Sequence, residues 1–383
     1  MEIVETQMTK CTLCPRNCKV NRSLGQKGIC GQTDKVKVAR AGLHMWEEPC
    51  ISGSKGSGTV FFSGCSLHCV FCQNHNIANG EAGKEISIER LAEIFLELQG
   101  KGANNINLVT AGQFIPQIVE ALKIAKEKGL HIPIVYNTSA YESVETLKLL
   151  DGIVDIYLPD LKYVDKELSE KYSHAADYFE RAKEAVEEMV KQVGNMEFAK
   201  EIMPERGNTG VEREEKSSTL LEFEKAQIIE CTKMFGNQNP PEDMEKLNKV
   251  IGSSLENGTL ESSDNGKIGI DEYQRRSEQG EQLVMTRGVI VRHLLLPGCV
   301  EDSKRVLNYL LEQYDNQIFI SILNQYTPLP HVSSYPELNR KVTEEEYEEV
   351  VDFAISMGIE NGFIQEGEAA KESFIPEFDG SGV

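Results

Sequence analysis

Three cysteines follow a short apolar run and have the spacing of metal-binding thiols. Cys65, Cys69 and Cys72 form a C-x3-C-x2-C pattern directly after the apolar residues 59–62. On a loop that leaves a buried strand, this spacing gathers three thiolates around an iron–sulfur cube. A cube has four irons, so one iron has no protein ligand and can chelate a small molecule. A zinc site or a chance cluster is the alternative, although structural zinc sites favour four ligands, often as two C-x2-C pairs.

A second group of four cysteines lies at the N-terminus. Cys11, Cys14, Cys18 and Cys30 are separated by two, three and eleven residues. Four thiols in such an arrangement can close a tetrahedral zinc site, hold a second iron–sulfur cluster or remain without a ligand. We therefore predict a small cysteine-rich N-terminal segment over residues 1–50.

Composition excludes several classes of protein. The net charge of -21 argues against a general basic surface for nucleic acids. An 18-residue apolar run is missing and the first residues do not resemble a signal peptide, so we expect neither a membrane span nor secretion. Eight of the ten cysteines fall within the first 72 residues. Such clusters are typical of metal or redox use in a reducing compartment, and we expect a cytoplasmic protein.

Apolar strands alternate with amphipathic helices after the cysteine triplet. The predicted strands are 59–62, 105–110, 132–136, 153–158, 288–296 and 318–323, and the predicted helices are 87–98, 115–128, 143–150, 178–193, 302–313 and 343–357. This alternation predicts an α/β fold with a parallel sheet and right-handed crossovers. About six units over residues 51–383 predict a partial (β/α)6 TIM-like barrel, in which ligands bind at the C-terminal ends of the strands.

Residues 196–283 interrupt this alternation. They are rich in Glu, Asn, Ser and Gly, a composition that buries little apolar surface. We predict an acidic, flexible insertion, with a regulatory or partner-binding segment as the alternative. Two stretches within it, 220–235 and 244–255, have helical patterns.

Residues 10–195 and 284–380 resemble the branch of the radical SAM superfamily typified by pyruvate formate-lyase activating enzyme. The resemblance includes the cysteine triplet, in which the aromatic Phe71 precedes the third cysteine, and the N-terminal cysteine segment. It also includes the strand-end sequences Asp160-Leu161-Lys162, Asn137-Thr138-Ser139 and Val291-Arg292-His293. It implies a barrel of the radical SAM type with a 4Fe-4S cluster on the triplet and S-adenosyl-L-methionine (SAM) on the open iron.

The resemblance also assigns roles to strand-end residues. It places Lys162 at the SAM carboxylate, Asp160 at the ribose and Phe71 beside the adenine. The other SAM-binding residues that it implies are Gly112, Asn137, Ser139 and Arg292. Arg292 can alternatively pair with Asp155 or another carboxylate.

The chain departs from the family pattern at two of these strand ends. Gln113 stands where the family has a glutamate for the SAM ammonium, and Asn137 stands where it has an aspartate.

The implied reaction is reductive cleavage of SAM to a 5′-deoxyadenosyl radical, which abstracts hydrogen from a substrate. A protein glycine is the substrate in the activating enzymes, and a small molecule or an RNA base is the alternative. A plain iron–sulfur electron carrier is the alternative outside this class. The interpretation as an enzyme implies a one-electron donor of the flavodoxin or ferredoxin type.

Overall fold

A computed structural model describes residues 7–201, 267–359, 361–364 and 378–383 of the chain. The predicted helices at 220–235 and 244–255 lie outside these residues. The strands of the described part are β1 Val36–His44, β2 Ser57–Phe62, β3 Lys84–Ile86, β4 Ile106–Val109, β5 Ile134–Thr138, β6 Ile156–Pro159, β7 Glu197–Lys200, β8 Leu283–Leu294, β9 Phe319–Leu323 and β10 Gly362–Ile364.

Helices cover most of the connections between these strands. They are α1 Pro49–Ser52, α2 His75–Ala78, α3 Ile88–Gly100, α4 Ile115–Glu127, α5 Val144–Leu147, α6 Lys166–Ser173, α7 Tyr178–Val193, α8 Ile270–Glu278, α9 Val300–Tyr314 and α10 Glu344–Ser356. None of these helices has the length and apolar character needed to cross a membrane.

The strands form one sheet in the order β10-β9-β8-β6-β5-β4-β2-β1-β3, and β7 pairs with β8 beside this path. The run from β2 to β10 is parallel throughout. The predicted α/β fold with a parallel sheet is therefore confirmed. Because all parallel strands point the same way, their carboxyl ends and the loops that follow them lie at one edge.

The sheet begins earlier in the chain than the sequence analysis expected. Strand β1 pairs antiparallel with β2 and with the short β3, so residues from Val36 onward belong to the sheet.

Helix α3 shows how the apolar pattern builds the core. Ser87 caps its first turn by accepting a hydrogen bond from the Arg90 backbone. The residues on its apolar face are fully buried against the sheet, and they are Leu91, Ile94, Phe95 and Leu98. Burial of each such side chain contributes roughly 1.5–3 kcal/mol.

Both ends of the predicted insertion are part of the fold. Strand β7 pairs antiparallel with β8, and Phe198 of β7 bridges to Ile268. The Phe198 ring also stacks on Tyr273 of α8, with ring centroids 4.0 Å apart. Residues 196–201 and 267–283 therefore pack on the barrel, and residues 202–266 lie outside the described part.

Candidate functional site

The cysteine triplet lies on the loop after β2, at the carboxyl edge of the sheet. The Ser173 hydroxyl at the end of α6 donates a hydrogen bond to the Cys69 sulfur over 3.0 Å, and the Leu67 backbone donates to Cys65 over 3.4 Å. The backbone N–H of Val70 donates to the Tyr172 carbonyl over 2.8 Å. The loop is therefore fixed to α6 on one side of the site.

Two thiols of the triplet have raised pKa values and are therefore protonated in the absence of a bound cation. Burial raises the pKa of Cys69 to about 11, although the nearby Lys162 ammonium acts in the opposite direction. Burial and the neighbouring cysteines raise the pKa of Cys72 to about 12. A thiolate is the form that binds metal, so bound iron would supply the positive charge that these sulfurs lack.

The donor set of the loop is three thiols, the set that holds a 4Fe-4S cube with one open iron. Among the described residues, no three His, Cys, Asp or Glu side chains are arranged to hold one metal ion. Two sulfurs on one zinc lie within roughly 4.6 Å of each other, twice the Zn–S distance. A cube places each thiolate on a different iron, so its ligands need not surround a single ion.

The N-terminal segment packs against the same loop. Arg16 donates from Nε to the Ser66 carbonyl over 2.8 Å, between two cysteines of the triplet. The fully buried Arg22 donates from Nη1 to the Gln113 carbonyl over 2.6 Å and so ties the segment to the end of β4. A cleft between these parts is lined by members of both cysteine groups and by strand-end residues, among them Cys14, Cys30, Cys65, Gly112, Ser139 and Glu142.

Burial also dominates the electrostatics of the N-terminal thiols. It raises the pKa of Cys14 to about 12 and that of Cys30 above its ordinary value. The neighbouring Cys11 also raises the pKa of both thiols, and Cys18 raises the pKa of Cys30. The four cysteines thus form one neighbourhood, in which Cys11, Cys14 and Cys30 line the cleft, although no three of them are arranged around a single metal ion.

The ends of β5, β6 and β8 carry a buried ion-pair network. Lys162 Nζ lies 2.9 Å from Asp160 Oδ2, and Arg292 Nη2 lies 2.8 Å from Asp160 Oδ1. Arg292 also donates to Asn137 Oδ1 over 2.6 Å and to Glu47 Oε2 over 3.2 Å. Four residues predicted to bind SAM are therefore together, but Arg292 and Asn137 bind each other and the carboxylates around them.

Burial and charge oppose each other in this network. Burial by itself would raise the pKa of Asp160, but Arg292 and Lys162 outweigh it and hold the value below its ordinary range. Burial raises the pKa of Glu47 despite the attraction of Arg292. Burial by itself would lower the pKa of Lys162, but Asp160, Cys69 and Tyr178 together hold it above its ordinary value. Asp160 and Lys162 consequently remain charged as a pair.

Two residues of this region were missed by the sequence analysis. Glu47 follows β1 directly and reaches Arg292, a residue 245 positions later in the chain. Tyr178 of α7 donates to the Asp160 carbonyl over 2.7 Å and accepts from the Lys162 backbone over 2.9 Å. An acidic pair at 47–48 after an alternating strand was the available signal for Glu47. Tyr178 carried no signal beyond that of a helical core residue.

A third missed residue, Glu142, lies beside Gly112 after β5. Tyr136 donates to its Oε1 over 3.1 Å, and the Thr138 hydroxyl donates to the same oxygen. Burial raises its pKa to about 7, and the two hydroxyls act in the opposite direction.

Gln113 donates from Nε2 to the carbonyls of Ser63, Gly64 and Thr110, so its side chain holds the loops together.

The remaining predicted residues lie on two sides of the site. Gly112 and Ser139 line the cleft with Cys65. Phe71 is buried in an aromatic cluster, with its ring centroid 6.4 Å from those of Tyr163 and Tyr326. Asp155, the alternative partner of Arg292, accepts instead from the Ile134 backbone over 2.8 Å.

A protein-family model matches the part of the chain that contains the cysteine triplet. The model of the radical SAM superfamily matches residues 59–208. The chain is 23% identical over 362 residues to the uncharacterized protein MJ0674 of Methanocaldococcus jannaschii, covering 92% of this chain and 77% of that protein. It is 31% identical over 129 residues to the pyruvate formate-lyase-activating enzyme of Clostridium pasteurianum, covering 32% of this chain and 53% of that protein.

Solved structures align at lower similarity. Streptococcus suis SuiB bound to S-adenosylmethionine aligns with a TM-score of 0.40 and 13% identity, over 80% of this chain and 49% of that chain. The FeFe-hydrogenase maturase HydG from Carboxydothermus hydrogenoformans aligns with a TM-score of 0.43 and 10% identity, over 83% of this chain and 55% of that chain. Alignments at these TM-scores carry no inference about function.

The chain spans about half the length of the activating enzyme and of SuiB. The family match supports the radical SAM superfamily. The partial match to the activating enzyme supports that branch only weakly.

Proposed function

We propose that the protein binds a 4Fe-4S cluster through Cys65, Cys69 and Cys72 and uses it to cleave SAM. The observation that carries the proposal is the placement of three half-buried thiols on one loop, with Cys69 near the Asp160–Lys162 pair, at one edge of a parallel sheet. When bound, such a cluster supplies one electron to the sulfonium of SAM, and the 5′-deoxyadenosyl radical then abstracts hydrogen from the substrate.

The residues of this chain provide binding and orientation. Lys162 has three N–H donors, and its contact with Asp160 leaves two of them for the carboxylate of SAM. Asp160 keeps free lone pairs for a ribose hydroxyl. We assign Arg292 a positioning role, because its guanidinium is shared among Asp160, Asn137 and Glu47.

The test is anaerobic reconstitution with iron and sulfide, followed by SAM and dithionite. We expect 5′-deoxyadenosine and methionine in equal amounts from the natural chain. The variant in which the three loop cysteines are alanine should form neither product. Cys50→Ala is the matched control, since Cys50 is a buried thiol outside both cysteine groups. Product formation by the triple variant would contradict the proposal.

We further propose that the substrate is a protein, in a reaction of the glycyl-radical-activating type. The partial identity to the activating enzyme of Clostridium pasteurianum favours this class. Enzyme and SAM are incubated with extracts of cells grown on α-deuterated glycine, after separation of proteins from small molecules. Deuterium in 5′-deoxyadenosine only from the protein fraction is expected, and deuterium only from the small molecules would contradict it.

The N-terminal cysteines are proposed to hold a second metal centre, either zinc or an iron–sulfur cluster. The support is the electrostatic neighbourhood of these thiols and the fixed position of their segment. Metal analysis of the variant that lacks the loop triplet should still find zinc or iron, and replacing Cys14 and Cys30 by alanine should remove it. A folded triple variant without metal would contradict the assignment.

We also propose a cytoplasmic enzyme with a one-electron donor of the flavodoxin or ferredoxin type. All nine cysteines of the described residues are free of disulfides, which suits a reducing compartment.

A further inference from the structure

Glu142 occupies a position that the proposed chemistry has not used. It follows β5 through a tight turn, in which Ala140 has a left-handed backbone with φ of 61° and its carbonyl accepts from the Glu142 backbone over 2.9 Å. The turn directs the chain back toward the end of β4. The Glu142 side chain is buried, with the whole residue 6% exposed.

The carboxylate lies directly against Gly112. A Cβ atom at residue 112 would stand 2.9 Å from Glu142 Oε2 and 3.1 Å from Oε1. Real Cβ atoms essentially never approach other atoms below 3.0 Å, so any larger residue at 112 would displace the carboxylate. Gly112 does not have a left-handed φ, so backbone conformation does not explain the glycine. The reason for a glycine here is the space that the Glu142 carboxylate occupies.

The carboxyl group of Glu142 has no cation beside it in the described structure. Its hydrogen bonds come from the Tyr136 and Thr138 hydroxyls. Both of these donate to Oε1, which leaves Oε2 open. A buried carboxylate without a cation is costly, and a ligand that brings a positive charge would remove that cost.

The Glu142 side chain belongs to the same cleft as the cluster loop. Glu142, Gly112 and Cys65 all line this cleft. A molecule bound beside the cluster loop can therefore reach Glu142 without leaving this cleft. The adjacent Gln113 does not compete for such a ligand, because its amide nitrogen is committed to three backbone carbonyls.

We propose that Glu142 binds the ammonium group of SAM, with Gly112 as the residue that leaves room for its carboxylate. This inference rests on the proposed SAM-cleaving function. An ammonium offers three N–H donors to carboxylate oxygens, and contact with the open oxygen gives a charge-assisted hydrogen bond. Glu142 and Lys162 would then hold the two charged groups of the methionine end, the ammonium and the carboxylate.

The test compares SAM with an analogue that lacks the amino group, in the natural chain and in Glu142→Gln. The substitution keeps the shape and removes the charge. We expect SAM affinity to fall on the order of ten- to a hundredfold, the range of a charge-assisted hydrogen bond. The analogue should bind both proteins equally weakly. Gly112→Ala should also weaken SAM binding, since its methyl group displaces the carboxylate.

Glu145→Gln is the matched control, because Glu145 is exposed and lies only three residues away. It should bind SAM like the natural chain. Cluster content and circular dichroism show whether each variant is folded. Failure of the natural chain to bind SAM would overturn the proposed function itself. Normal SAM binding by a folded Glu142→Gln variant would overturn only this inference.

Discussion

Replacement of Arg292 by methionine should destabilise the fold strongly. The Arg292 side chain is 14% exposed, and its partners Glu47 and Asp160 are 9% and 25% exposed. After the substitution, Asp160 keeps Lys162, but Glu47 keeps only the Asn107 amide. Breaking a buried ion pair by removing one partner costs roughly 3–5 kcal/mol, because the other charge stays buried without compensation. We expect the free energy of unfolding to fall by that amount.

The measurement is urea unfolding of the metal-free protein under anaerobic conditions, followed by circular dichroism. The matched control is Arg181→Met, since Arg181 is 47% exposed and its partners Asp177 and Glu184 are exposed as well. Exposed pairs contribute about 0–1 kcal/mol, so this variant should remain close to the natural chain. A loss in Arg292→Met no larger than in the control would refute the structural role.

A second substitution shows whether Arg292→Met loses stability through an uncompensated buried charge or through poorer packing. Glu47→Gln combined with Arg292→Met removes one of the two neighbouring carboxyl groups, Glu47 and Glu48, that Arg292 compensates, so part of the lost stability should return. The deficit of the single variant should also grow as pH rises through the raised pKa of Glu47, because the carboxylate is neutral below that pKa. A deficit independent of both changes would mean that packing alone explains it.

Further predictions concern the cluster, the SAM site, the core and the insertion. The variant without the three loop cysteines should lose the electron paramagnetic resonance signal that responds to SAM, and a retained signal would place the cluster elsewhere. Lys162→Met should weaken SAM binding, measured by equilibrium dialysis, by roughly ten- to a hundredfold with unchanged iron content. Burial lowers the pKa of His293 to about 4, so the native state should lose about 3 kcal/mol relative to His293→Gln as pH falls from 6.5 to 4. Deletion of 202–266 through a short linker should leave SAM cleavage intact, because the bridge between Phe198 and Ile268 brings both ends together.

The parallel core was predictable because buried strands and their helices carry strong apolar patterns. Strand β2, for example, is buried at every residue, and the spacing in α3 matches one helical face. Strand β1 was missed because its pattern alternates and it adjoins the cysteine-rich segment. Strand β10 has three residues and carries too little pattern for a prediction.

The site was predictable only in part, for a different reason. Cysteine spacing is local, so the loop of Cys65 was evident from the sequence. The partners of a charged residue depend on how distant loops converge. Arg292 meets Glu47 across 245 positions, and Gly112 meets Glu142 through the turn after β5. Neither contact leaves a periodic signal in the chain.

The arrangement of charge around the cleft follows from these contacts. Arg292 holds Asp160 from one side, and Lys162 holds it from the other, so the Lys162 ammonium is fixed close to Cys69 before any ligand binds. Glu142 is fixed by two hydroxyls from β5 against Gly112. A cation and an anion are thus set in place at the carboxyl edge of one sheet. Preorganised charges of this kind need no rearrangement when a zwitterionic ligand binds, and that lowers the entropic cost of holding it beside the cluster loop.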